Sequence, residues 1–276
     1  NLNAGKGLQN NTVLGIHPDA SGNLWLALDQ GIDLVLTSGY EGVQMVRAEK
    51  IGAVYTAAVF EDSLYLGTNQ GLFVGSMKKP QDTFRLIPGT QGQVWDLKVI
   101  GDHLIAGHNS GTFQISGGKA TFISRVSGAF SITKDARSDQ EYLQCTYSNI
   151  VKYRLEQGVL RQKHVYYNFN ELIRFIETDH LENLWLSHMH RGIFQLRYSG
   201  DKDSVVFKRY IDPEKLGEHS VNPGVFKVNE RIVFTSGMRL YTYDDLQDTI
   251  IPYTTLNVNL GKYAAATRII ASGESH

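Results

Sequence analysis

The feature that most limits how this chain can fold is a β-rich unit that recurs about every forty residues. Its first copy holds a run of strand formers from Thr12 to His17, a turn from Pro18 to Asn23 and a second run from Leu24 to Leu28. A tight turn from Asp29 to Gly31 follows, and a third run opens at Ile32. Apolar residues alternate within the runs, and turn formers stand where the chain must reverse. The centre, Leu24-Trp25-Leu26, reappears as Leu64-Tyr65-Leu66, Leu104-Ile105-Ala106, Tyr142-Leu143-Gln144, Leu184-Trp185-Leu186 and Ile232-Val233-Phe234. The spacing predicts propeller blades, because a lone four-stranded sheet leaves both faces apolar and its edges unpaired, and stacking blades covers them.

Composition agrees with that reading. The chain has 276 residues, long for one compact domain but ordinary for a repeat array. A hydrophobic content of 42% supplies a core, and the 27 glycines mostly mark turns. A net charge of −1 gives no reason to expect a nucleic acid or an anionic membrane as partner. The single cysteine, Cys145, has no second cysteine to pair with inside the chain. No run of about 18 apolar residues is present to span a bilayer. The chain opens at Asn1 without a methionine and reads as a piece of a longer protein.

The expected fold class is therefore all-β, a β-propeller of six four-stranded blades plus the start of a seventh, part of a seven-bladed propeller. The predicted blades cover about 12–46, 53–86, 93–123, 129–167, 171–210 and 223–253, with the start of the seventh at 262–276. The fourth is the most degraded, with a glycine-free turn at Tyr147-Ser148-Asn149. The run Ala264–Ala271 reads as the first strand of the seventh.

The pattern Gly7-Leu8-x-x-Asn11-x-Val13-x-x-Ile16-x-x-Asp19-x-x-Gly22-Asn23-Leu24-Trp25-Leu26 resembles the two-component-regulator propeller repeat. Blade five carries its core again as Ile173-x-x-Ile176-x-x-Asp179-x-x-Glu182-Asn183-Leu184-Trp185-Leu186, with Glu182 replacing the glycine. Blade two keeps the other half, Leu66-Gly67-Thr68-x-x-Gly71-Leu72. In that family such repeats form the periplasmic sensor region of hybrid two-component systems in glycan-degrading gut bacteria. The resemblance implies an extracytoplasmic ligand-sensing propeller that recognises an oligosaccharide or other small ligand and relays its presence to transcription of glycan-utilisation genes. It implies as partners the rest of a parent sensor, namely a second propeller and a triple-tyrosine domain, with membrane tethering through parts outside this chain. A homodimer is compatible with it. The histidine kinase would lie elsewhere in the parent, so this segment is not expected to be an enzyme.

Each candidate residue also has a plainer structural role open to it. Trp25, Tyr65 and Trp185 occupy one repeat position in the second strand, where a large ring most often wedges between blades. Trp95 and Tyr55 fall on the first strand, which lines the channel of a propeller, and could give a sugar-stacking platform; packing is the competing role. Asp19 reads as a turn residue bonding its own backbone, since its Asp-x-x-Gly spacing fails the Asp-box of sialidase-type propellers. The second hairpin turn of each blade and the connections between blades emerge on one face. There they carry His108, Asn109, Tyr147, Asn149, His188, His190, Arg191 and Tyr167 as candidate ligand contacts, the amides, aromatics and charges a saccharide site needs. The competing reading is that turns are polar because they are wet. His108, His188 and His190 suggest a metal site only loosely, and no metal or cofactor is expected. Gly-x-Ser-x-Gly, phosphate-loop and His-Glu-x-x-His motifs are missing. A carbohydrate-active propeller enzyme, lyase or hydrolase, is the alternative, and a protein-interaction scaffold the second alternative.

Overall fold

The structure, a computed structural model, describes residues 2–37, 42–46, 51–76, 84–199, 204–211 and 223–269. They form a β-propeller fold of six four-stranded antiparallel sheets, each a meander in which consecutive strands pair. The strands are β1 Val13–Pro18, β2 Leu24–Leu28, β3 Ile32–Leu36 and β4 Gly42–Val46; β5 Val54–Phe60, β6 Ser63–Thr68, β7 Leu72–Ser76 and β8 Arg85–Leu86; and β9 Val94–Ile100, β10 His103–His108, β11 Gly111–Ser116 and β12 Lys119–Ser124. The last three sheets are β13 Ile132–Lys134, β14 Glu141–Cys145, β15 Ile150–Glu156 and β16 Val159–Tyr166; β17 Ile173–Thr178, β18 Leu184–His188, β19 Gly192–Tyr198 and β20 Val205–Ile211; and β21 Gly224–Val228, β22 Arg231–Thr235, β23 Leu240–Asp244 and β24 Thr249–Pro252.

The chain divides into two compact units. The first holds sheets one to three, and the second holds sheets four to six apart from the hairpin tip Gln157–Leu160. In the first unit β1 adjoins β5 and β5 adjoins β9; in the second β13 adjoins β17 and β17 adjoins β21. First strands thus neighbour first strands, as the inner strands of blades must. Gly15 shows how close they come: a Cβ there would lie 2.7 Å from the Tyr55 carbonyl oxygen. Any larger residue would push β1 off β5.

Strand alternation explains the repeat. Successive side chains of a strand point to opposite faces, so each second strand serves two different layers. Leu64 and Leu66 join Trp25, Ile32 and Val54 between sheets one and two, whereas Tyr65 joins Val94, Leu104 and Phe113 between sheets two and three. In the second unit Leu184 and Leu186 pack with Leu143 and Ile150 of sheet four, and Trp185 packs with Val225 and Phe234 of sheet six. Trp25 and Trp185 are both fully buried. Cys145 is buried too, and burial pushes its thiol pKa well up, so it behaves as a small core residue.

Asp19 and Asp179 hold the first turn of their sheets. Asp19 Oδ1 accepts the Ser21 and Asn23 amides at 2.8 and 3.0 Å, and Asp179 Oδ1 accepts those of Leu181 and Asn183, both at 2.9 Å. Asp179 does one thing more: its Oδ2 accepts the buried Trp185 indole N–H at 2.7 Å. The Trp25 indole N–H is buried without a partner among the described residues. Asp179→Ala should therefore cost about 1–3 kcal/mol more than Asp19→Ala in urea unfolding, the penalty of orphaning a buried donor. Equal costs would mean that the indole bond contributes nothing.

The run Ala264–Ala271, expected as a seventh first strand, is corrected by the described part of it. Thr254–Leu260 forms helix α1, Gly261–Ala265 a 3₁₀ helix, and 266–269 no strand; the residues after 269 lie outside the described set. Alanine is the best helix former and a weak strand former, and here packing agrees with propensity. Ala264 is buried against Val233 and Leu240, beside Leu256 and Leu260 of the helix. The Asn257 side chain acts as the missing strand partner: its Oδ1 accepts the Leu240 N–H and its Nδ2 donates to the Leu240 carbonyl, both at 2.8 Å.

Candidate functional site

Four inner strands share one irregularity. The register of β1 slips between Val13 and Gly15, that of β5 between Val54 and Thr56, and that of β17 between Ile173 and Phe175. In β9, His108 pairs with Val94 while Gly107 pairs with Asp96. Each slip is a β-bulge with one extra residue: Leu14, Tyr55, Trp95 and Arg174. The ladder closes again just beyond, where the amides of Asp29, Asn69, Asn109 and Met189 donate to the carbonyls of Thr12, Ala53, Gln93 and Leu172. β21 runs against β22 without a slip. A bulge bends its strand and re-aims a side chain, which is why bulges are common beside binding sites.

In the first unit this device brings Tyr55 and Trp95 together. Their rings stack with centroids 5.0 Å apart and planes at 18°, and both are half-buried. Neighbouring inner strands thus present a two-ring aromatic surface at the end of the sheets where the second turns lie. Tyr55 and Trp95 were singled out from sequence for this position; that they form one surface follows only from the bulges.

The hairpin candidates divide into turn supports and exposed groups. At or just past the end of the second strand stands an acceptor that caps its own turn. Thr68 Oγ1 accepts the Gln70 and Gly71 amides, Thr146 Oγ1 those of Ser148 and Asn149, and Ser236 Oγ those of Met238 and Arg239. Histidine does the same work twice. His108 Nδ1 accepts the Ser110 amide at 3.0 Å and its hydroxyl at 2.7 Å, and His188 Nδ1 accepts the His190 and Arg191 amides at 2.9 and 3.0 Å. The shared N–H donors leave the proton on Nε2 in both rings. Burial pushes the His108 pKa down, against the Thr90 and Gln91 carbonyls that its Nε2 faces without well-formed hydrogen bonds.

His188 Nε2 lies 3.1 Å from Glu171 Oε2, and Arg191 Nη1 reaches Glu171 Oε1 at 2.9 Å. Glu171 was not among the sequence candidates. It sits on the connection from sheet four to sheet five, and nothing in a single sequence pairs that connection with the next hairpin. His188 is buried, while His190 and Arg191 are exposed at the turn tip. Tyr147 meets Phe130 edge-on at 5.4 Å, Asn149 Nδ2 donates to Ser148 Oγ, and Tyr167 is 75% exposed. Asn109 Oδ1 is buried without a partner among the described residues, packed against Gly92, where an added Cβ would lie 2.6 Å away. Asn69 shows the other use of this position, taking the Ala53 amide at 3.0 Å. Among the described residues no three His, Cys, Asp or Glu side chains gather as metal ligands, and no helix is long and apolar enough to cross a membrane.

No protein-family profile matches the chain, and no curated protein matches it in sequence. Among solved structures, the extracellular domain of the hybrid two-component system BT4673 from B. thetaiotaomicron shares the fold at a TM-score of 0.62 and 16% identity. The match covers 89% of this chain and 33% of that one. The extracellular domain of BT3049 from the same organism aligns at a TM-score of 0.56 and 16% identity, over 87% of this chain and 39% of its own. A 6-phosphogluconolactonase structure from Bacteroides fragilis aligns at 0.63 and 9% identity, over 88% and 83%. This chain therefore spans about a third of the sensor structures' length. The fold neighbours include proteins of the kind that the repeat resembles.

Proposed function

We propose that this propeller is the extracytoplasmic, periplasmic ligand-sensing domain of a hybrid two-component regulator and that it recognises an oligosaccharide. The observation that carries the reading is the Tyr55–Trp95 stack, set by two bulges on adjoining inner strands. A sugar ring has an apolar C–H face that gains by covering an aromatic surface, while hydroxyls at its rim seek amides and charges. The repeat pattern and the sensor-domain fold neighbours support the same reading. A sensor needs only a difference in affinity between two states of its assembly, so modest binding is enough to shift the parent and with it the transcription of glycan-utilisation genes. His190 and Arg191, with Tyr147 and Tyr167, form a second group of proposed contacts; His188 supports the first two by holding their hairpin.

The test is calorimetric titration of a panel of oligosaccharides into the chain and its Tyr55→Leu and Trp95→Leu variants. Each variant should lose about tenfold or more in affinity, roughly the 1.4 kcal/mol that one aromatic contact supplies. Unchanged affinity in both would remove the platform from the site. Shortened sugars in the mass spectrum would replace the sensor by an enzyme.

A further inference from the structure

We propose that Arg174 is an anion-recognition residue, holding a carboxylate or sulfate group of an acidic saccharide. If the propeller senses saccharides, as proposed above, Arg174 specifies the acidic class. It is the extra residue of the β17 bulge, the repeat position that elsewhere carries Tyr55 and Trp95. Arg174 is half-buried, and among the described residues no acid or hydrogen bond acts on its guanidinium. Arg137, Arg161 and Arg191 each pair with an acid, Asp135, Glu156 and Glu171. Glu171, three residues before Arg174, is already held by His188 and Arg191.

Two aromatic rings and a second guanidinium lie near Arg174. Its guanidinium carbon lies 5.4 Å from the centroid of the Phe175 ring, and Phe226 packs on that ring at 5.4 Å. Arg268, also half-buried, places its guanidinium 5.6 Å from the same centroid. Burial pushes the Arg174 pKa down with no acid to oppose it. A charge removed from water and left unpaired is costly, and apolar walls strengthen whatever ion finally pairs with it. The guanidinium fork matches the two oxygens of a carboxylate or sulfate.

Three disaccharide probes of one linkage separate the sources: one containing a hexuronate, one O-sulfated and one neutral. Each is titrated by calorimetry into the wild-type chain, Arg174→Met and Arg174→Lys. The wild type should bind at least one acidic probe about tenfold or more tightly than the neutral one. That preference should fall as salt rises. Arg174→Met should abolish the preference and leave the neutral affinity unchanged, with a melting temperature no lower than wild type, since an unpaired, half-buried charge is gone. Arg174→Lys should keep part of the preference, because the charge remains while the fork is lost. Equal wild-type binding of acidic and neutral probes, or a preference that survives in both variants, overturns the anion site and leaves saccharide sensing standing. Binding of none of the three overturns both.

Discussion

Trp185→Ala is expected to destabilise the protein by about 3–5 kcal/mol, with Trp25→Ala at the lower end of that range. Both indoles are fully buried, so both substitutions leave a large void between two sheets. Trp185 loses more. Its ring lies 5.3 Å from Phe234 and 4.6 Å from Tyr243, contacts that reach across from sheet five to sheet six. Its N–H is also one of two donors to the buried Asp179 Oδ2, beside the Asn183 side-chain amide, and truncation would remove it. The Trp25 N–H has no partner to lose among the described residues. Chemical denaturation followed by circular dichroism gives the comparison, and Trp185→Phe should fall between wild type and Trp185→Ala. A loss under about 1 kcal/mol for Trp185→Ala would contradict its placement as an inter-sheet wedge.

The same two residues show why the fold was so legible. A tryptophan recurring between leucines, followed by a turn at Asp29-Gln30-Gly31 or its equivalents, carries period-two alternation and hairpin chemistry together. The chain end misled because the alanines of 264–266 carry no alternation, and the helix was decided by Asn257 docking on Leu240, a contact that composition does not announce. The site was legible only in part. Leu14, Tyr55, Trp95 and Arg174 could be aligned by repeat position, but a bulge is a property of pairing: one strand has a residue more than its partner, and no gap in the sequence marks it. His108 and His188 looked like surface contacts because a sequence cannot tell an imidazole aimed outward from one bonded to its own turn. The column of Thr68, Thr146 and Ser236 at similar positions was the available hint.

Asp135→Ala should cost about 2–4 kcal/mol at neutral pH, and part of that cost should vanish in acid. Asp135 follows β13 and is almost wholly buried, yet it stays charged because four donors converge on it. The Arg137 amide and Nε reach Oδ1 at 3.2 and 3.0 Å, while Arg137 Nη2 and the Tyr198 hydroxyl reach Oδ2 at 2.7 and 2.9 Å. The guanidinium lies 3.3 Å from the centroid of the Tyr198 ring, so the carboxylate ties β19 to the turn after β13. Burial alone would raise the Asp135 pKa; the Arg137 and Tyr198 hydrogen bonds and the Arg137 charge outweigh it and hold it below the ordinary value. Burial, with the Asp135 charge second, pushes the Tyr198 pKa up, so the phenol stays a donor. Because the folded pKa is depressed, this stabilisation is complete above the unfolded pKa near 4 and is lost as pH falls through the folded value. Wild type and Asp135→Asn should therefore differ by a constant amount from pH 7 to about pH 5, and the gap should shrink below about pH 4. Urea midpoints measured across that range decide it. A gap that stays constant down to pH 2, or widens, would mean that the Asp135 charge is not what binds the turn to β19.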